Sequence, residues 1–281
     1  MAEDRMQQQR FELKYIVKEN VARAAREFVS SYLEIDEYGA TQPNFSYPVH
    51  SLYLDSDRLT LYQHTINGDK NRHKLRLRFY DNRPEAPVYF EIKRRVNNTI
   101  GKQRGGVRRE AVDWLIAGHL PEPAYLVSKD PRQLVTLQHF CQLMNDVHAR
   151  PKAHIAYSRE AWISRSDNSI RVTLDREVKC EPDQTTRLNT QMANPVNVFG
   201  TDVVLELKFT NRFPDWFKEL VRVFGLMQCG AAKYADGVTL IGPDRVNHPQ
   251  VPWRGEAPES DSERRVEAPT GTLRSANSNH D

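Results

Sequence analysis

The sequence predicts an α+β fold in which about eight antiparallel strands form a barrel or a strongly curved sheet, flanked by helices. Three observations predict it. Segments with period-two alternation recur along most of the chain, joined by turns or single helices. On these segments one face is apolar while the other carries lysine, arginine and glutamate. Amphipathic helical segments between them supply cover for the apolar faces.

Arg10 to Val17 reads as the first strand. Val21, Ala24, Ala25, Phe28, Val29 and Tyr32 then recur at helical spacing, predicting a helix to about Leu33. His50 to Leu54 is a strand, and Ser56 is placed to cap a short helix carrying Leu59 and Tyr62. Lys74–Tyr80 and Val88–Arg95 are strands separated by the turn signal Asn82-Arg83-Pro84. Val107 to Glu110 is expected to add a short strand. Helical patterns follow at 111–118 and 131–147, and strands at 152–160, 170–178 and 202–210. Pro214 suits the first turn of a helix over 214–225, which Gly225 ends. After Pro243 the composition turns to Pro, Ser, Glu, Arg and Asn, so 246–281 is expected to be a disordered tail.

Of the 281 residues 39% are hydrophobic, with 40 basic and 37 acidic side chains giving a formal charge of only +3. Net charge therefore says little about partners, and the arrangement of charge carries the argument. Cys141, Cys180 and Cys229 have neither metal-ligand nor disulfide-framework spacing, consistent with a reducing, cytoplasmic setting. No signal-peptide pattern and no apolar run long enough to span a membrane occurs.

The polar strand faces are the unusual feature. Lys74, Arg76 and Arg78 project together, opposite Leu75, Leu77 and Phe79. Glu91, Lys93 and Arg95 share a face, as do Arg171, Thr173 and Asp175. A Glu-x-Lys pair recurs on three strands, as Glu12/Lys14, Glu91/Lys93 and Glu206/Lys208. A solvated sheet face with cross-strand ion pairs accounts for any one strand. It accounts less well for all of them, because Ser, Thr, Asn and Gln are scarce there. A lumen lined by cations is costly without an anion inside it, and the natural guest is a polyanion rich in oxygen.

At these residues the sequence resembles the VTC domain, the polyphosphate polymerase branch of the triphosphate tunnel metalloenzymes. The resemblance runs over about 6–242 and rests on Arg10-Phe-Glu-Leu-Lys-Tyr15, Ser51-Leu-Tyr-Leu-Asp55, Lys74-Leu-Arg-Leu-Arg78, Phe90-Glu-Ile-Lys93, Tyr157-Ser-Arg-Glu160, Ile170-Arg-Val-Thr-Leu-Asp175, Leu205-Glu-Leu-Lys208 and Lys233-Tyr234. It implies an antiparallel eight-stranded β-barrel, the triphosphate tunnel, flanked by helices. It also implies that Lys14, Arg76, Arg78, Lys93, Arg159, Arg171, Lys208 and Lys233 hold phosphates and act catalytically, and that Glu206 holds a divalent metal, Mn²⁺ or Mg²⁺. The implied reaction moves the γ-phosphate of ATP to the end of polyphosphate. Hydrolytic relatives often open with Glu-x-Glu-x-Lys, where this chain has Arg10, Glu12 and Lys14, which suits a more basic tunnel. The family's eukaryotic polymerases carry membrane helices, so any coupling to transport is expected from a membrane-protein partner.

A metal-dependent triphosphatase and a non-catalytic polyphosphate- or inositol-polyphosphate-binding module are the alternatives. A nucleic-acid partner is not expected, because Phe79, Phe90 and Phe209 lie on the apolar faces and not among the cations. The basic run Arg94, Arg95, Lys102, Arg104, Arg108 and Arg109 surrounds Gly101, Gly105 and Gly106 and reads either as a flexible hairpin guiding a polyanion or as a solvated loop. His50, His64 and His73 have no ligand spacing.

Overall fold

The computed structural model describes residues 11–97, 99–165, 169–210 and 212–248. The strands are β1 (Phe11–Val17), β2 (Glu34–Ile35), β3 (Ser46–Asp55), β4 (Asn71–Phe79), β5 (Val88–Val96), β6 (Thr99–Val107), β7 (Arg150–Ile163), β8 (Ile170–Pro182), β9 (Val196–Asn197) and β10 (Val203–Phe209). The helices are α1 (Glu19–Ser30), α2 (Glu37–Ala40), α3 (Thr60–Ile66), α4 (Val112–Ile116), α5 (Pro131–Asp146), α6 (Asp215–Val223), α7 (Lys233–Ile241) and α8 (Pro243–Asn247). One antiparallel sheet runs in the order β1-β10-β8-β7-β3-β4-β5-β6, with β2 pairing to β7 and β9 to β8. The α+β class and the eight-strand path stand as expected.

The barrel is curled but not closed by a ladder, since no pairing of β1 with β6 appears among the described residues. Side chains bridge the gap instead, with Lys93 Nζ on β5 reaching Glu12 Oε2 on β1 at 2.9 Å. The free edge of β6 is occupied elsewhere. Gln133 Oε1 on α5 accepts the Gly106 N–H at 2.9 Å, and Val127 N–H donates to the Gly106 carbonyl at 3.1 Å. These contacts cover the edge at the Val107 end of β6.

This corrects the reading of the glycine-rich basic run. It forms β6 and its turn from β5, and strand character ends at Val107 rather than beginning there. Gly105 is needed because α5 lies almost on the strand. A Cβ at Gly105 would stand 2.7 Å from Leu137 Cγ and 3.0 Å from the Gln133 carbonyl.

Apolar strand faces point outward onto helices, as the alternation requires. Leu75, Leu77, Phe79, Phe90 and Ile92 pack against Leu115, Leu137 and Phe140 of α4 and α5. Tyr15, Val172, Leu205 and Leu207 pack against Ala22 and Val29 of α1 and Phe217 and Leu220 of α6. Each fully buried large side chain contributes roughly 1.5–3 kcal/mol relative to exposure.

A third cluster lies inside the curl. Tyr234 and Val238 of α7 pack on Tyr53, Ile155 and Cys180, so α7 fills part of one end of the lumen. Tyr234 stacks on Tyr53 at 4.8 Å, and its hydroxyl donates to Asp55 Oδ2 at 2.9 Å. Asp55 also caps α3, accepting the Leu61 and Tyr62 N–H groups at 2.9 and 2.8 Å, while Ser56 Oγ accepts from Thr60 N–H at 3.0 Å. The tail expected from residue 246 starts differently. Residues 243–247 form α8 with Val246 fully buried, and 249–281 lie outside the described residues, as does Arg10.

Candidate functional site

Antiparallel register sets the lumenal side chains next to one another. Lys14 faces Glu206, Glu12 faces Lys208, Arg159 faces Asp175, and Arg76 and Arg104 flank Glu91 from either side. Opposite charges therefore meet across strands, which stabilises the pairing. Like charges also meet, at Arg72 opposite Arg95, at Lys208 opposite Arg171, and over three strands where Lys74, Lys93 and Lys102 stand side by side across β4, β5 and β6.

Two carboxylates are hubs. Glu91, fully buried, is approached by Arg76 at 2.6 Å, Lys102 and Arg104 at 2.8 Å each, and Arg78 at 3.9 Å. Arg76 donates also to the Tyr53 hydroxyl at 3.0 Å, and Arg78 to Ser51 Oγ and the Tyr157 hydroxyl at 3.1 Å each. Glu206 is approached by Lys208 at 2.6 Å, Lys233 at 3.0 Å, Lys14 at 3.4 Å and Arg159 at 3.8 Å. Asp175 bridges the second hub, taking Arg159 and Lys233 at 2.7 Å each. Lys233 is the first residue of α7, so the positive end of that helix starts in the lumen.

Electrostatics follow from burial and crowding. Burial alone raises the Glu91 carboxyl, but Lys102, Arg76, Arg78 and Arg104 hold it well below the usual carboxylate range. Burial likewise opposes ionisation of Glu206, and Lys208, Lys233, Lys14 and Arg159 outweigh it. Burial lowers Lys208 to about 8 although Glu206 pulls it the other way. Lys74 falls to about 7, through burial first and then through Lys14, Lys93 and Arg72.

Every expected site residue lies on this lumen or at its rim. Lys14, Arg159, Lys208 and Lys233 meet at Glu206, Arg76 and Arg78 meet at Glu91, and Lys93 meets Glu12. Arg171 is the outlier, bound at 2.8 Å to Asp36, which also caps α2 and accepts from the Tyr47 hydroxyl. Lys102 and Arg104 belong to the site and were hidden in the glycine run. The alternation Lys102-x-Arg104 is the signal in the sequence that would have found them. Arg109 is structural, donating to the Leu188 and Asp81 carbonyls. His50 and His154 pair at 3.0 Å beside Phe79, on the outer face, and burial lowers both to about 4.

The donor set admits a divalent ion only in a restricted way. Among the described residues no group of three or more His, Cys, Asp or Glu is placed to hold a metal. Glu206 offers one carboxylate, already surrounded by cations, so an ion there would draw its other ligands from phosphate oxygens and water. That is the coordination Mg²⁺ favours with phosphates.

The chain resembles known proteins at three levels. The profile of the VTC domain matches residues 9–241. Subunit 2 of the vacuolar transporter chaperone complex of Schizosaccharomyces pombe is 24% identical over 133 residues, 45% of this chain and 18% of that protein. The chain thus spans under a fifth of that relative's length. Among solved structures, the PH1819 protein of Pyrococcus horikoshii OT3 aligns with a TM-score of 0.43 and 12% identity, over 82% of this chain and 98% of its own. A putative adenylyl cyclase from Hippeastrum, HpAC1, described as having a dominant triphosphatase activity, aligns with a TM-score of 0.45 and 13% identity, over 83% and 95%. On the match spanning 9–241, the chain belongs to the VTC domain family.

Proposed function

We propose that this chain is a polyphosphate polymerase that transfers the γ-phosphate of ATP to the end of a polyphosphate chain inside the lumen. One observation carries the reading. The cations outnumber the carboxylates that face them, with four basic groups around Glu91 and four around Glu206 that are shared with Asp175 and Glu12, eight cations to four carboxylates. Phosphoryl transfer asks chiefly for positioning and neutralisation of spread negative charge. Arg76, Arg78 and Arg104 present guanidinium forks suited to phosphate oxygens. Lys233, Arg159 and Lys208 supply charge at the second hub. The attacking group is a terminal phosphate oxygen, anionic at neutral pH, so no strong base is needed. It forms the new bond to the γ-phosphorus as the bond to the β–γ bridging oxygen breaks, and ADP leaves. A divalent ion arriving with the nucleotide, held by Glu206, would add further neutralisation of the triphosphate.

A second reading is a module that holds polyphosphate without turnover. The lack of a three-ligand metal group among the described residues favours it. The name of the S. pombe relative, a complex subunit, supports an assembly partner for this chain as well. Among the described residues no helix is long and apolar enough to cross a membrane. In the polymerase reading, the use of ATP puts the lumen on the cytoplasmic side.

Incubating the purified protein with ATP and Mn²⁺ or Mg²⁺ and resolving the products tests these readings. A ladder of long polyphosphate is expected. Free phosphate alone would make the chain a triphosphatase, and tight polyphosphate binding with no product would leave the binding module.

A further inference from the structure

The row Lys74, Lys93 and Lys102 costs stability, because like charges directly opposite one another on neighbouring strands repel. Two of the three find relief. Lys93 reaches Glu12 at 2.9 Å, and Lys102 reaches diagonally to Glu91 at 2.8 Å. Lys74 has no hydrogen-bond or ion-pair partner among the described residues, although it is part-buried and shares the lumenal face with Arg76 and Arg78. The charges that act on it are Lys14 on β1, Lys93 on β5, Arg72 on its own strand and Asp236 on α7. Glu12 is already shared by Lys14 and Lys93, and the Asp236 carboxylate is bound to the Ala232 N–H at 2.7 Å. A part-buried cation left among cations is a place prepared for an anion that arrives from outside.

We infer that Lys74, with Lys93 and Lys14, forms the subsite that holds the acceptor polyphosphate chain. The inference rests on the polymerase reading above and assigns one wall of that lumen. Its chemistry differs from the wall at Glu91. Guanidinium forks around Glu91 fix oxygens in set directions, as a triphosphate awaiting in-line attack requires. Lysines are point charges on flexible stems with no demand on direction, so a chain can advance past them by one phosphate per cycle. Lys74 stands near pH 7 in the empty lumen through burial and its cationic neighbours. A polyanion beside it reverses the balance, so binding near pH 8 draws in a proton.

The test is calorimetric titration of the protein with long-chain polyphosphate and, separately, with ATP, near pH 8 in two buffers of different ionisation enthalpy. Wild type is expected to take up protons with polyphosphate. Lys74→Met should bind polyphosphate about tenfold more weakly and take up about one proton fewer, with ATP affinity changed less than about twofold. Lys74→Arg, which stays charged, should keep polyphosphate affinity within about threefold and also lose that proton. Equal loss of ATP and polyphosphate binding in Lys74→Met, or unchanged proton uptake in both variants, would overturn the subsite. A wild-type protein that binds polyphosphate but makes none from ATP would sink the polymerase reading while leaving the Lys74 result to stand on the binding data.

Discussion

On the outer face of β7 and β8, Glu160 is fully buried and takes two hydrogen bonds from Arg26 of α1 at 2.7 Å each. Arg176 reaches the same carboxylate at 2.8 Å and Glu19 at 2.9 Å, and the Trp162 indole donates to Glu160 at 2.7 Å. Two carboxylates meet two part-buried guanidiniums, the exposed Arg23 adding to Glu19 at 3.2 Å, and the network pins α1 to the sheet. On the inner face of the same sheet, Glu91 and Glu206 each stand among four cations. Both networks are buried and hydrogen-bonded, and only one is balanced. A balanced network is complete as it stands, whereas a surplus of one sign is kept only where something else brings the other sign.

Breaking the outer network should produce the largest effect on the fold. Glu160→Ala leaves Arg26 and Arg176 without their shared partner, and about 3–5 kcal/mol of unfolding free energy should be lost in a urea titration. The matching change in the lumen should act on chemistry instead. Arg76→Ala leaves Glu91 with Lys102 and Arg104, so stability should hold while polyphosphate synthesis drops about 10²–10³-fold. Equal loss of stability in the two variants would erase the distinction between the networks.

Gly237→Ala probes how the lumen is assembled. A Cβ there would lie 2.7 Å from Cys180 Sγ and 2.9 Å from Cys180 Cβ, so α7 must shift and carry Lys233 with it. A cost of about 1–3 kcal/mol is expected, together with weaker polyphosphate binding. The pH trend is a separate test of the lumen. Lys74 and Lys208 stand at about 7 and about 8 in the folded chain, against an ordinary 10.5. Between those values the unfolded chain binds more protons, so stability of the empty protein should rise with pH from about 7 toward 10. Saturating tripolyphosphate should flatten that rise, as read from thermal midpoints across the window.

Period two is a local property, so Lys74, Arg76 and Arg78 on one strand and Glu206 and Lys208 on another were legible as faces without any knowledge of pairing. The outward hydrophobics opposite them already argued for covering helices. What could not be read depends on contacts between distant segments. Gly101, Gly105 and Gly106 look like a loop until α5 is seen lying against β6, and only then do Lys102 and Arg104 join Glu91. The missing ladder between β1 and β6 likewise shows only in three dimensions. Val246 hides in a polar stretch, and its burial shows only in three dimensions.

The central claim is that the lumen's surplus of cations is an anion site. A crystal structure of the protein grown with tripolyphosphate near neutral pH tests it most directly. The account predicts a chain of phosphates between the Glu91 and Glu206 hubs, within hydrogen-bonding distance of Arg76, Arg78, Arg159 and Lys233. An empty lumen, with the anion bound instead in the outer cleft lined by Arg150, Lys152 and Arg187, would contradict it.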